Sequence, residues 1–232
     1  MTQKKSNKIQ TEDMIVDAVE VQPAGKFNFE SYIANNQKII TYVVGGLTAI
    51  ALLYFGYSYL YLAPKEKKAI AAMYKAEALF AQDSFAVALE SANPETEGFL
   101  DIIDNYSGTK AANTAKYYAG ICYLNLGNVE EAIKYLDKFS APDDLTSVMK
   151  TGALGDAYAD QGDKDKALSQ YTKAAHLMDN ELTSPYYLNK AAQLSFMLGK
   201  NEDAVKYFEE VNEKYPNSTE AKEAEKFLAR LK

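Results

Sequence analysis

The chain has 232 residues, 47% hydrophobic and 25% charged, with a formal net charge of −7. It is long enough to bury a core, and it lacks the positive excess that binding a phosphate backbone requires, which argues against a nucleic-acid binder. A single cysteine, Cys122, and a single histidine, His176, exclude an internal disulfide framework, a Cys-based zinc site and multi-His metal centres.

Residues 1–38 carry five Lys and five acidic residues. Over 1–27 there is too little apolar periodicity to fold alone, and the stretch runs to Pro23 and Gly25, so a flexible polar tail is expected. Over 28–38, Phe29, Tyr32 and Ile33 share one helical face and lead without a breaker into the next segment. A juxtamembrane helix continuous with that segment is the economical expectation.

Positions 39–64 are 26 consecutive uncharged residues between Lys38 and Lys65. A bilayer crossing needs about 20 predominantly apolar residues, and Ile39 to Ala63 meets that. Tyr57, Tyr59 and Tyr61 at one end and Tyr42 near the other suit the two membrane interfaces. A buried core helix of this length normally carries charge somewhere. A cleavable signal peptide starts earlier, is shorter and ends at a small-residue site. The expectation is a transmembrane helix over 39–63. Within it Gly45, Ala49, Leu52 and Gly56, spaced four, three and four apart, form a small-residue stripe, a candidate transmembrane interface.

The remainder, 65–232, carries 20 basic and 27 acidic residues and repeats internally. KYYAGICYLNLGNVEEAIKYLDKF, TGALGDAYADQGDKDKALSQYTKA and LNKAAQLSFMLGKNEDAVKYFEEV align. Gly127, Gly162 and Gly199 head equivalent turns, spaced by 35 and 37. Five residues after each stands an alanine (Ala132, Ala167, Ala204), and seven before each a small residue (Gly120, Gly155, Ala192). Four after each alanine stand Leu136, Tyr171 and Phe208. Small residues let two helices cross closely, the turn glycine lets the backbone reverse, and the larger side chain fills the groove. FLDIIDNYSGTKAANTA at 99–115 echoes FEEVNEKYPNSTEAKEA at 208–224, which extends the array in both directions.

This pattern resembles the tetratricopeptide repeat, a helix–turn–helix of about 34 residues. The expected fold is all-α, a tetratricopeptide-repeat α-solenoid tethered by one N-terminal transmembrane helix. Repeats are expected over 65–217 (66–109 degenerate, 113–145, 148–180, 185–217), followed by a capping helix over 218–232 with Ser218 as its N-cap. The resemblance implies that first-helix positions two, five, nine and twelve face a concave groove. These are Thr114, Tyr117, Ile121 and Leu124, then Met149, Gly152, Asp156 and Ala159, then Tyr186, Asn189, Gln193 and Phe196. Repeat proteins that clamp a peptide's terminal carboxylate use Lys, Arg and Asn there. The mixed aromatic, apolar and neutral polar set here excludes that clamp and leaves an apolar or extended protein segment. Alternatively, these residues merely touch their neighbours.

No glycine-rich phosphate loop, Gly-x-Ser-x-Gly elbow or His-Glu-x-x-His pair is present. Asp143-Asp144 and Asp163-Lys164-Asp165 read as helix caps, His176 as a helix-end residue, and Cys122 as an inert core thiol. No catalytic residue, metal, cofactor or small-molecule substrate is expected. This is not an enzyme sequence.

The overall layout resembles the bacterial ancillary subunit of the Sec translocon. The likeness rests on Phe29-Glu30-Ser31-Tyr32-Ile33-Ala34-Asn35-Asn36-Gln37-Lys38 before the span, and on Gly45, Gly46 and Gly56-Tyr57 within it. It implies an inner-membrane protein with a cytoplasmic tail and a periplasmic repeat domain. The partners it implies are translocon subunits, a membrane-bound periplasmic chaperone and exported clients. A structural scaffold of another cell-envelope complex, without client binding, is the alternative. The Tyr-Pro-Asn-Ser turn also resembles tetratricopeptide lipoproteins of outer-membrane assembly, but those carry a lipobox cysteine that this chain lacks. Orientation divides the signals. Lys26 and Lys38 precede the span while Lys65, Lys67, Lys68 and Lys75 follow it, which by the positive-inside rule favours the opposite topology.

Overall fold

The computed structural model describes residues 29–91, 93 and 96–231. The tail expected over 1–27, and residue 28, lie outside the described residues. All the regular structure among those described is helical. The chain divides into two units, Met1–Leu53 and Tyr54–Lys232.

The first unit holds α1 (Phe29–Asn35) and most of α2 (Gln37–Gly56). The continuity expected over 28–38 is interrupted at Asn36, which is a turn. Asn36 donates both its backbone N–H (3.1 Å) and its side-chain Nδ2 (2.9 Å) to the Tyr32 carbonyl. A side-chain amide that competes for a main-chain acceptor loosens the helix locally. No side chain of α2 is buried. Its two threonine hydroxyls satisfy themselves, Thr41 on Gln37 O and Thr48 on Val44 O, both at 2.8 Å. Among the described residues one helical run, Gln37–Phe80, is long and apolar enough to cross a membrane.

The second unit begins with the end of that run. Tyr57–Leu62 form a wide π-helical turn, closed by the Ala63 N–H on Ser58 O, before α3 (Ala63–Phe80). Pro64 explains the widening. It brings no N–H to the carbonyl four residues back, and its ring would clash there. Tyr57 and Tyr61 stack across the turn at 5.4 Å.

From α3 onward helices pair in sequence: α4 (Phe85–Leu89) and α5 (Phe99–Asn105), α6 (Lys110–Asn125) with α7 (Val129–Lys138), α8 (Asp144–Gln161) with α9 (Lys164–Leu177), α10 (Thr183–Met197) with α11 (Asn201–Lys214), then α12 (Thr219–Leu231). Each alanine after a turn glycine (Ala132, Ala167, Ala204) is 0% exposed. At Gly120 a Cβ would stand 2.7 Å from the Leu136 side chain, and at Gly155 2.6 Å from the Tyr171 ring. Those glycines permit the crossings. The turn glycines serve a different need: Gly127, Gly162 and Gly199 have φ of 77°, 85° and 72°, a left-handed backbone that costs other residues about 1–2 kcal/mol.

The degenerate first repeat departs from this plan. Its turn residue is Asp83, at φ 54°, and its second helix is split into α4 and α5. Gly98 closes the split by lying against the Leu89 carbonyl, where a Cβ would come within 2.5 Å. The base of α3 is fastened to α6: Glu66 accepts hydrogen bonds from the Lys110 and Ala111 N–H groups at 2.7 and 3.0 Å. Lys65 donates to Ser107 O at 3.0 Å. At the other end Ser218 accepts from the Ala221 N–H at 3.1 Å, and Phe227 of α12 stacks on Phe208 at 4.9 Å.

Candidate partner-binding face

Spacings of three, four and three place each first-helix set on one face of its helix. The structure leaves Met149 on α8 and Tyr186 and Phe196 on α10 exposed, while the other positions are partly or fully covered.

Thr114, Tyr117 and Met149 border an apolar cavity of about 160 Å³, walled further by Tyr118, Phe139 and Pro142. Tyr117 sits between Tyr118 (6.0 Å, edge-on) and Phe139 (5.5 Å). Burial pushes its hydroxyl up to about 12, so it stays protonated. Met149 is 40% exposed at the mouth. Ile121 and Leu124 are packed against the cluster formed by Leu136, Ala153 and Leu154, so they join repeats more than they face solvent. Gly152 is a correction: it lies buried beneath Tyr187 of α10, whose ring a Cβ would strike. It therefore presents nothing to a groove.

Asp156 is occupied. It accepts from the Tyr171 hydroxyl at 2.7 Å and from Lys190 Nζ at 2.6 Å. Burial first, then the bond to Asp156, raises the Tyr171 hydroxyl. For Lys190, burial opposes the charge, yet the Asp156 bond prevails and holds the ammonium above its usual range. Lys190 also lies over the Tyr171 and Tyr186 rings at 5.2 and 5.3 Å. Tyr186 is 44% exposed, edge-on to Tyr187.

On α10 the remaining positions turn toward α12. Asn189 Nδ2 and Gln193 Nε2 donate to the two oxygens of Glu223, at 2.7 and 3.0 Å. Phe196 meets Phe227 edge-on at 5.8 Å. Lys190, Tyr187 and Glu223 were not among the residues expected from sequence. The signal was present in the period, since Asp156–Lys190 and Asn189–Glu223 are each 34 residues apart. The same interval recurs at Thr172–Tyr207, His176–Glu210 and Tyr215–Asp179, offset by 35, 34 and 36.

His176 falls in the last turn of α9, and its Nε2 meets Glu210 at 3.2 Å. Cys122 is fully buried, and burial pushes its thiol up to about 12. On α2, Gly45, Ala49 and Leu52 are exposed, and around Gly45 and Gly56 an added Cβ would meet nothing within 4 Å.

The tetratricopeptide repeat model matches residues 114–141 and 188–218. These are the α6–α7 and α10–α11 pairs, and α8–α9 between them repeats the same turn and crossing geometry. Tetratricopeptide repeats are thus present within an all-helical, solenoid-like chain, and such repeats suggest protein–protein interaction. No curated protein matches the chain.

Proposed function

We propose that the chain is a membrane-anchored protein-interaction module, an adaptor or chaperone subunit at the protein-export translocon. In this reading residues 39–63 span the bacterial inner membrane, the tail is cytoplasmic and the repeats are periplasmic. No catalytic residue, cofactor or small-molecule substrate takes part. The observation that carries the interaction role is the open apolar cavity between Tyr117, in a repeat matched by the family model, and Met149 on the neighbouring α8, which lies outside the matched stretches. It suits an apolar side chain of an extended protein segment. The exposed surface of α2, uncharged from Ile39 onward and predominantly apolar, favours the membrane anchor, because so long an apolar stretch left in water would be strongly unfavourable.

The translocon as partner rests on the resemblance in chain layout. A scaffold that handles no client is the second reading, and the engagement of Asn189 and Gln193 by Glu223 favours it, since two of the four expected positions on α10 are then spent on packing. Copurification after mild detergent extraction separates the two. Translocon subunits are expected in the pull-down, and their absence sinks the first reading. Protease added to cells with an opened outer barrier tests orientation: digestion of the repeat domain is expected, while full protection would favour the topology of the lysine distribution.

A further inference from the structure

A second cleft lies on the second-helix side of the solenoid, between the end of α7, one face of α8 and the end of α9. Its volume is about 620 Å³, within the range of about 300–1,000 Å³ typical of ligand pockets and far larger than one inorganic ion. Three lysines from three helices line it: Lys138, Lys150 and Lys173, against one carboxylate, Asp137.

The state of these lysines matters. Lys134, Lys166, Lys190, Lys200, Lys206 and Lys214 all pair with carboxylates. Among the described residues, none of the three cleft lysines does. Lys150 Nζ donates to Phe139 O at 2.8 Å and Asp137 O at 3.3 Å. Two of its three N–H groups are used, and its charge is met only by carbonyl dipoles. Lys138 lies over the Tyr135 ring at 5.4 Å. A chain with net charge −7 therefore keeps a positive cleft, and unpaired charges lining one concavity reinforce each other's field there.

The rest of the lining narrows the ligand. Ser147, Thr151 and Gln170 offer hydrogen-bonding groups, while Phe139, Leu154 and Leu177 provide apolar surface. A ligand that bears carboxylates and an aliphatic side chain together uses both. We infer that this cleft binds an acidic peptide segment of a partner protein. The inference does not depend on the cavity at Tyr117, on the membrane topology or on the identity of the partner.

Helix C-termini attract cations on their own account, so stability cannot distinguish a binding role from a dipole role. The test reads peptide binding. The full chain in a neutral maltoside detergent is titrated into a fluorescein-labelled peptide of alternating Glu and Leu, followed by fluorescence anisotropy. The analogue with Gln in place of Glu runs in parallel. The acidic peptide is expected to bind about tenfold more tightly than its amide analogue, and to lose about tenfold in K138Q/K173Q, as two partly solvated charge contacts imply. Asp137→Asn, which removes the competing charge without touching a lysine, is expected to tighten binding. Equal binding of both peptides, no binding of either, or indifference to both substitutions would overturn the proposal. So would protection of the cleft by inorganic phosphate without any peptide binding, because that result means an ion site only.

Discussion

Ala167 is fully buried in a cluster with Tyr171 of α9 and Ala191 and Leu194 of α10, with Tyr158 and Ala159 of α8 packed against it, which leaves no room for a longer side chain. Ala167→Leu is expected to destabilise the solenoid by about 1–3 kcal/mol through overpacking, read as a lowered denaturation midpoint with unchanged slope. Cys122 tests the same interior chemically. A thiol pushed up to about 12 and fully buried supplies almost no thiolate near neutral pH. Alkylation by iodoacetamide is expected only after unfolding, and rapid labelling of the native chain would contradict the packing. Glu210 gives a pH dependence. Burial alone would raise its carboxyl, but hydrogen bonds from Lys214 and His176 outweigh it and hold it below its ordinary 4.5. Its contribution is therefore present above about pH 4.5 and is lost as pH falls through the lower folded value. At neutral pH Glu210→Gln is expected to cost about 0.5–1 kcal/mol, the scale of partly exposed pairs, and the difference from the parent should vanish in acid denaturation.

At the scale of elements, Glu66 is the clearest case of one helix completing another. Its carboxylate receives two of the N–H groups that the start of α6 cannot satisfy internally. Glu66→Ala should cost about 0.5–2 kcal/mol in thermal melts, and Glu66→Gln less, because one acceptor oxygen remains. That bond joins residues 44 apart, outside the repeat period, and no local pattern announces it. What was legible in the sequence shares one property: it is a local demand repeated at a fixed interval. Gly127, Gly162 and Gly199 are required by their own φ angles, and Gly120 and Gly155 by the side chain sixteen residues on. Asp83 fills a left-handed turn without being glycine, so the sequence hid the first turn of the array. The collision of Tyr187 with the Gly152 face is set by the angle between neighbouring repeats. That angle also decided that α12 would reach Asn189 and Gln193. The π-turn before Pro64 was legible in principle, since proline's missing N–H has to be accommodated somewhere upstream.

On the scale of the whole molecule, a proposed span over 39–63 anchors a solenoid whose open cavity lies beside Met149. Asn189 and Gln193 on α10 have their amides committed to Glu223, while Met149 is exposed beside the apolar cavity. A partner that uses the cavity should therefore be found beside Met149. Site-specific photo-crosslinking in intact membranes measures this most directly. The photoreactive residue is placed at Met149, with exposed Lys164 on α9 as the comparison position. Adducts with translocon subunits or exported chains from position 149, absent from position 164, are the predicted result. No adduct from 149, or equal adducts from both positions, would contradict a partner-binding role for this cavity.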